Sequence, residues 1–236
     1  MRMIGIYLVF GSLALLGALT AKGGLATLVL VDVVVAFLAV AAGYAFHIPG
    51  LFGKQADGKL PLWSRLLFWP YFALSYFAYA LARRTMDCAP HHEILPGLYL
   101  GCRRWRTEEA NFKKLGVQAV LDLTSEFGEP DYLRRGGAYV CLPLLDHRPP
   151  TMAQLQEAVI YVLEHLERGP VYVHCAVGFG RSATVVAACL LALGRATDPA
   201  DAVAQLKAIR HRVYVNHRQM AVLTKWHEQQ KEKAKP

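Results

Sequence analysis

The chain has 236 residues, 54% hydrophobic and 11% aromatic, with 26 Lys and Arg against 18 Asp and Glu for a net charge of +8. This composition excludes an intrinsically disordered polyelectrolyte, and five cysteines, an odd number without a Cys-x-x-Cys pair, exclude a disulfide-framed scaffold and a zinc-ribbon site. The positive balance is uneven, with seven Lys/Arg and two Asp/Glu in residues 1–84, and no nucleic-acid-binding motif accompanies it.

In chain order, residues 3–21 run without a charge and residues 25–46 carry only Asp32. About 20 apolar residues at 1.5 Å each cross a hydrocarbon core of roughly 30 Å, so the pair is predicted to form a transmembrane helical hairpin turning at Lys22-Gly23-Gly24. A cleavable signal peptide fits less well, because the apolar run is long and a second follows at once. Asp32 is expected to pair with Ser12 across the hairpin or with Lys22 at its loop, a lipid headgroup or an oligomer partner being the alternative. A third apolar segment, about 62–82, holds Phe68, Trp69, Tyr71, Phe72, Tyr76, Phe77 and Tyr79 with Pro70 near its start. Aromatic rings favour the headgroup level, so this reads as an interfacial helix, with a third span as the alternative. With two spans the C-terminal part returns to the side of Met1, where Lys54, Lys59, Arg65, Arg83 and Arg84 satisfy the positive-inside rule, which points to the cytoplasmic face. The reduced thiols of a cytoplasmic setting suit the cysteine usage.

Residues 85–91 read as a linker, and 92–236 as one α/β domain with a sheet covered on both sides. Its helices are predicted from their punctuation: Thr107 to Gly116, Thr151 to Gly169, Arg181 to Leu193 before Gly194, one opened by Asp198-Pro199, and a last one from Asn216 into a lysine-rich tail over residues 231–235. Two basic clusters, Arg103/Arg104/Arg106 and Arg210/His211/Arg212/His217/Arg218, are expected to face an anionic leaflet.

The chemistry concentrates in His174-Cys175-Ala176-Val177-Gly178-Phe179-Gly180-Arg181-Ser182. A short β-rich run, Val171 to Val173, precedes it and a helical run follows, so the turn opens a helix. Backbone N–H groups and the helix dipole make such a turn an anion cradle, and Gly178 and Gly180 let the chain curl. Those surroundings favour a thiolate at Cys175, and Arg181 offers a bidentate fork for phosphoryl oxygens. The phosphate-binding loop thus comprises His174, Ala176, Val177, Gly178, Phe179 and Gly180, with Cys175, Arg181 and Ser182 as catalytic candidates. His174 is read as orienting Cys175 through loop carbonyls. Upstream, Leu142-Pro143-Leu144-Leu145-Asp146-His147 places Asp146 on a strand-to-helix loop, the position for a general acid; Asp122, inside an apolar strand, is the rival but reads better as capping a neighbouring loop.

Residues 174–182 match in full the signature of the cysteine-dependent protein tyrosine phosphatase superfamily: His-Cys, five residues, Arg, then Ser or Thr. Over about residues 92–226 the chain resembles the small dual-specificity branch, and within it the group of mitochondrial phosphatidylglycerophosphate phosphatase-like enzymes. Leu95-Pro96-Gly97-Leu98-Tyr99-Leu100-Gly101, Leu121-Asp122-Leu123 and Arg210-His211-Arg212-Val213 also look similar. The resemblance implies a phosphatase-like α/β sheet flanked by helices and preceded by the membrane hairpin. It further implies attack of the Cys175 thiolate on phosphorus, clamping by Arg181, assistance by Ser182 and protonation of the leaving oxygen by Asp146, with no cofactor and no metal.

The expected activity is hydrolysis of a phosphomonoester on a phospholipid headgroup such as phosphatidylglycerophosphate, by an integral membrane protein whose partners are lipids. A tethered dual-specificity or tyrosine phosphatase acting on phosphoproteins is the alternative, and a non-catalytic phosphate-binding module ranks third. Lipid-active relatives often carry basic residues inside the loop, where this chain has Ala176, Val177 and Phe179, so polyphosphoinositides are disfavoured; Phe179 either lines the pocket mouth or packs beneath the loop. Nucleic acid is not expected, and nothing in the sequence specifies an oligomeric state. Cys102 and Cys141 are candidates for an oxidative disulfide with Cys175.

Overall fold

The computed structural model describes residues 2–233; Met1 and the last three residues of the lysine-rich tail, 234–236, lie outside them. Two apolar helices, α1 (Arg2–Thr20) and α2 (Leu25–Phe46), pack antiparallel across the Lys22–Gly24 turn, with Gly23 and Gly24 at φ +85° and +77°. Small residues let them approach: a Cβ at Gly11 or Gly17 would touch Leu38 or Leu30 at van der Waals distance. Among the described residues these two helices are long and apolar enough to cross a membrane.

The aromatic segment forms a short α3 (Leu62–Leu67) and then α4 (Trp69–Thr85), broken at Phe68 with Pro70 in the first turn of α4, where a missing N–H costs nothing. α4 has 17 residues, with Arg83 and Arg84 in its last turn. Its rings join the hairpin: Tyr7, Phe37, Tyr44, Phe52, Phe68, Tyr71 and Phe72 form one buried cluster that also takes in Leu145. Asp32 pairs with neither Ser12 nor Lys22. Trp69 Nε1 donates to it at 2.8 Å, so the intrahelical acid ties α2 to α4.

The remainder folds on a five-stranded sheet in the order β1-β2-β5-β3-β4. β1 (His91–Leu95) is antiparallel to β2 (Leu98–Cys102), while β5 (Val171–Cys175), β3 (Ala119–Thr124) and β4 (Ala138–Leu144) run parallel to β2. β3 and β5 are buried throughout, as expected for strands covered on both faces. One face packs on α7 (Met152–Leu166), α8 (Arg181–Ala192), α9 (Pro199–Ile209) and α10 (His217–Lys233) around Leu121, Val173, Val186 and Leu206. The other packs on α5 (Glu109–Lys113) and α6 (Asp131–Arg135), where Phe112 and Leu133 meet Val120 and Tyr172.

Predicted starts at Thr151, Asp198 and Asn216 match the observed caps: Thr151 Oγ1 accepts from Gln154 N, Asp198 from Ala200 N and Asp201 N, and Asn216 from Arg218 N and Gln219 N. The Thr107 start does not. A 3₁₀ turn over Arg106–Glu108 precedes α5, and the Glu108 carboxylate accepts from the Trp105 N–H at 2.6 Å, a better cap than a threonine hydroxyl already inside the turn.

Candidate active site

The parallel strands end at one edge of the sheet, where β5 delivers Cys175 into the turn that opens α8. Five consecutive carbonyls of this turn are held from outside. Arg103 N donates to Cys175 O (2.8 Å) and Ala176 O (2.9 Å), the Arg210 guanidinium to Val177 O and Gly178 O (2.9 Å each), and Tyr214 N to Phe179 O (2.9 Å). A planar peptide points its N–H opposite the preceding carbonyl, so these bonds turn the amides of residues 176–180 toward the loop centre, the arrangement an anion requires. Gly178, at φ +75°, has no room for a side chain: a Cβ would stand 2.4 Å from Gly101 O. Ser182 Oγ donates to Cys175 Sγ at 3.3 Å, and the thiol is 2% exposed.

Arg181 is buried and splits its guanidinium between two carboxylates. Glu126 takes the end-on edge, with Nη1–Oε2 at 3.0 Å and Nη2–Oε1 at 2.7 Å; Leu144 O accepts from Nη1 at 2.8 Å, and Asp146 Oδ1 lies 3.2 Å from Nη2. This leaves Nε without a partner, on the side-on edge that could meet an anion's oxygen together with Nη2 if Asp146 gives way. The pairing with Glu126 and Asp146 raises the pKa of Arg181 against a desolvation that would lower it. Glu126 was not singled out from the sequence, where it is one of several acids after β3. Only its long-range partner marks it.

Asp146 stands at the edge of the loop with its side chain 43% exposed, and its neighbour His147 is at φ +58° with Nε2 3.5 Å from the Asp146 carboxylate. The segment is strapped from two sides. Asn216 Nδ2 donates to His147 O at 3.0 Å, and Arg148 donates to Tyr44 O and approaches His47 Nε2 at 2.7 Å, both at the end of α2. Structure thus brings Cys175, Arg181, Ser182 and Asp146 together. Phe179 lies under the Arg210 guanidinium, 5.0 Å from its ring, outside the cavity that Ala176 and Val177 line.

Behind the loop sits a buried polar cluster. His174 Nδ1 faces Cys175 O at 3.3 Å and its Nε2 is 3.9 Å from Asp122. Burial pushes the His174 pKa down to about 4, so the ring is neutral at physiological pH. Asp122 accepts from Thr124 N and Oγ1, from Tyr139 OH at 2.7 Å and from Lys54 Nζ at 2.5 Å. Desolvation opposes its ionisation, but Lys54 and His174 win and hold its pKa well below the carboxylate range. Asp122 therefore fastens the end of β3 to Lys54 and to Tyr139 of β4, where the sequence reading has it capping a neighbouring loop. Asp122, Glu129 and His174 bring ligand atoms within 4.8 Å of one another, yet the Lys54 ammonium and the Arg103 guanidinium, 3.1 Å from Glu129, already supply the positive charge there.

Lys54 was expected at the membrane surface and is instead 1% exposed inside the catalytic part. Arg103, Arg104 and Arg210 likewise leave the expected surface clusters for the interior, 5%, 2% and 0% exposed. Each has carbonyls, carboxylates or rings to satisfy, which a composition count cannot reveal. Arg106, His211, Arg212, His217 and Arg218 remain exposed. The oxidative partners also separate: β2 pairs Cys102 directly with Cys175, whereas β3 intervenes between β5 and the β4 strand that carries Cys141.

Two openings meet at Asp146. One, about 830 Å³, carries Arg148, His217 and Arg218. The other, about 320 Å³, runs from Ala176 and Val177 past Glu126 between α1 and α4.

Comparison with known proteins places this geometry. Residues 98–229 match the family "Dual specificity phosphatase, catalytic domain". Human dual specificity protein phosphatase 4 is 35% identical over 101 residues, 42% of this chain and 25% of the relative, so the chain spans about a quarter of that protein's length. Human phosphatidylglycerophosphatase and protein-tyrosine phosphatase 1 is 29% identical over 180 residues, covering 70% of this chain and 87% of the relative. Among solved structures, PTPMT1 in complex with PI(5)P superimposes with a TM-score of 0.58 at 24% identity, over 62% of this chain and all of that one, a likeness of fold.

Proposed function

Because the chain belongs to the dual-specificity phosphatase family, we propose that it is a cysteine-dependent phosphoric monoester hydrolase acting on a phosphomonoester of a membrane glycerophospholipid such as phosphatidylglycerophosphate. The carrying observation is the site's opening: the loop of Cys175 leads into a trough whose far walls are α1 and α4, and α1 has membrane-crossing length and hydropathy. In this reading α1 and α2 anchor the protein as a two-span hairpin and the domain of residues 92–236 works at the cytoplasmic face. Exposed His217 and Arg218 beside the site favour an anionic headgroup surface. The relative named as a phosphatidylglycerophosphatase supports the substrate class.

The proposed chemistry has two steps. The Cys175 thiolate attacks phosphorus, the inward amides and the side-on edge of Arg181 hold the phosphoryl oxygens, and the P–O bond to the lipid breaks as Asp146 gives its proton to the leaving alkoxide. The Asp146 carboxylate then takes a proton from water as the oxygen attacks the thiophosphate. Inorganic phosphate leaves and the thiolate returns, with Ser182 donating to sulfur as it becomes the leaving group.

The test is phosphate release by purified full-length protein from phospholipid vesicles and from phosphotyrosine peptides in parallel, with Cys175→Ser as the blank. Release from lipid, absent in the blank, is the expected result. Release from peptide alone would replace the lipid reading with a tethered protein phosphatase, and silence on both would leave a phosphate-binding module.

A further inference from the structure

The hairpin supplies part of the active-site wall. Ile6, Tyr7 and Phe10 of α1, Tyr44 at the end of α2, and Tyr71 and Leu74 of α4 line the 320 Å³ cavity whose floor is Ala176 and Val177. The shape is elongated. At 1.5 Å per residue, Ile6 to Phe10 covers about 6 Å of α1, while Tyr71 to Ala82 covers about 16 Å of α4. Charge appears only at the catalytic end, where Glu126 and Asp146 meet Arg181; apart from Ser75 the rest is aromatic and aliphatic. Ile6 and Phe10 are 44% and 38% exposed, on the helix whose Val9, Leu13 and Leu16 project outward. A molecule already in the bilayer therefore meets the trough without crossing water. The Tyr44 hydroxyl is buried beside the Tyr7 and Tyr71 hydroxyls, makes no well-formed hydrogen bond among the described residues, and belongs to a ring that lines this cavity. Hydroxyls grouped in this way, without a well-formed bond at Tyr44, can turn to a polar atom that arrives with a ligand.

We propose that the trough between α1 and α4 binds the glycerol backbone and proximal acyl segments of the phosphomonoester lipid, with Tyr44 donating a hydrogen bond to an oxygen of its glycerol or ester region, so that the membrane hairpin determines specificity as well as location. This rests on the phospholipid reading above. Its distinctive content is that the enzyme recognises acyl chains, whereas a phosphatase merely tethered near lipid would read the headgroup alone.

The experiment compares long-chain phosphatidylglycerophosphate in phosphatidylcholine vesicles with its deacylated, water-soluble counterpart, glycerophosphoglycerophosphate, on full-length protein. Wild type is expected to prefer the acylated substrate at least tenfold in kcat/KM. Ala78→Trp, an exposed α4 position that fills the trough, and Ile6→Trp, which fills it from α1, each lower that preference at least tenfold. Tyr44→Phe lowers it severalfold through KM, and Leu13→Trp, on the outward face of α1, leaves it unchanged. Cleavage of both substrates without acyl preference, or a preference that survives both tryptophans, overturns the trough and leaves the lipid phosphatase standing. Cleavage of p-nitrophenyl phosphate or phosphotyrosine peptide with neither glycerol compound turned over overturns both.

Discussion

Lys54→Met tests how far the catalytic part depends on chain outside its family match. Lys54 Nζ donates to Asp122 Oδ2 at 2.5 Å, Thr124 O at 2.8 Å and Thr124 Oγ1 at 2.7 Å, with both charged side chains essentially excluded from solvent. Methionine keeps the length of the stem and removes the charge, so Asp122 keeps Tyr139 and Thr124 as partners but loses its counter-ion. Removing one partner of a buried pair costs about 3–5 kcal/mol, because the other charge stays desolvated. At 2–4 °C per kcal/mol for a chain of this size, the melting temperature falls by about 6–20 °C. Thermal unfolding of full-length protein in detergent, followed by near-ultraviolet circular dichroism, reads the loss. Adding Asp122→Asn to Lys54→Met removes the stranded charge and should recover stability relative to Lys54→Met alone. A fall below about 3 °C, or a double variant whose losses simply add, would refute the argument that this pair is a coupled, desolvated unit.

Three further outcomes follow from the site. His174, held near 4 against 6.5 for a free imidazole, stays neutral in the fold while the unfolded chain takes up a proton, so its contribution is complete above pH 6.5 and is lost as pH falls toward 4. Glu129, its carboxyl raised to about 8 chiefly by desolvation, acts oppositely over part of that window. The measured quantity is therefore the wild-type minus His174→Asn difference in denaturant midpoint, and a difference independent of pH between 6.5 and 4.5 would count against the assignment. Glu126→Gln should lower kcat about 10- to 100-fold, corresponding to the loss of one charge-assisted contact of about 1.5–3 kcal/mol on Arg181; unchanged kcat in steady-state assays would show that Glu126 does not position the fork. Gly178→Ala should reduce phosphate release more than about 100-fold, since both a positive φ and a 2.4 Å approach to Gly101 O oppose any Cβ, and retained activity would mean the loop relaxes freely.

The phosphate loop was legible because its constraint is local: a strand, two glycines, an arginine and a helix start lie within nine residues. Caps at Thr151, Asp198 and Asn216 were legible for the same reason, and so was the hairpin, whose length and hydropathy are properties of contiguous sequence. What escaped is long-range. Glu126 acquires meaning only when β3 lies beside β5 and the acid reaches Arg181, 55 positions on. Lys54, Arg103 and Arg210 carry no local signature that separates them from membrane-facing charges, Lys54 beside an apolar segment and the two arginines within basic clusters, yet each side chain is spent inside on carbonyls and carboxylates. Asp32 illustrates the same limit from the opposite side: its partner, Trp69, sits on a helix whose docking against α2 follows from the aromatic cluster and from no spacing in the sequence.

The strap from Arg148 to Tyr44 and His47 makes the end of α2 and the loop of Asp146 a single piece. If α2 is fixed across a bilayer, Asp146, the proposed proton donor, is held at one height relative to the last apolar turn. The enzyme then works like a cutter on a guide rail. On the lipid reading proposed above, a phosphate standing at headgroup level passes under the blade wherever the lipid diffuses, while one carried higher, on a protein surface, must bend down to meet it.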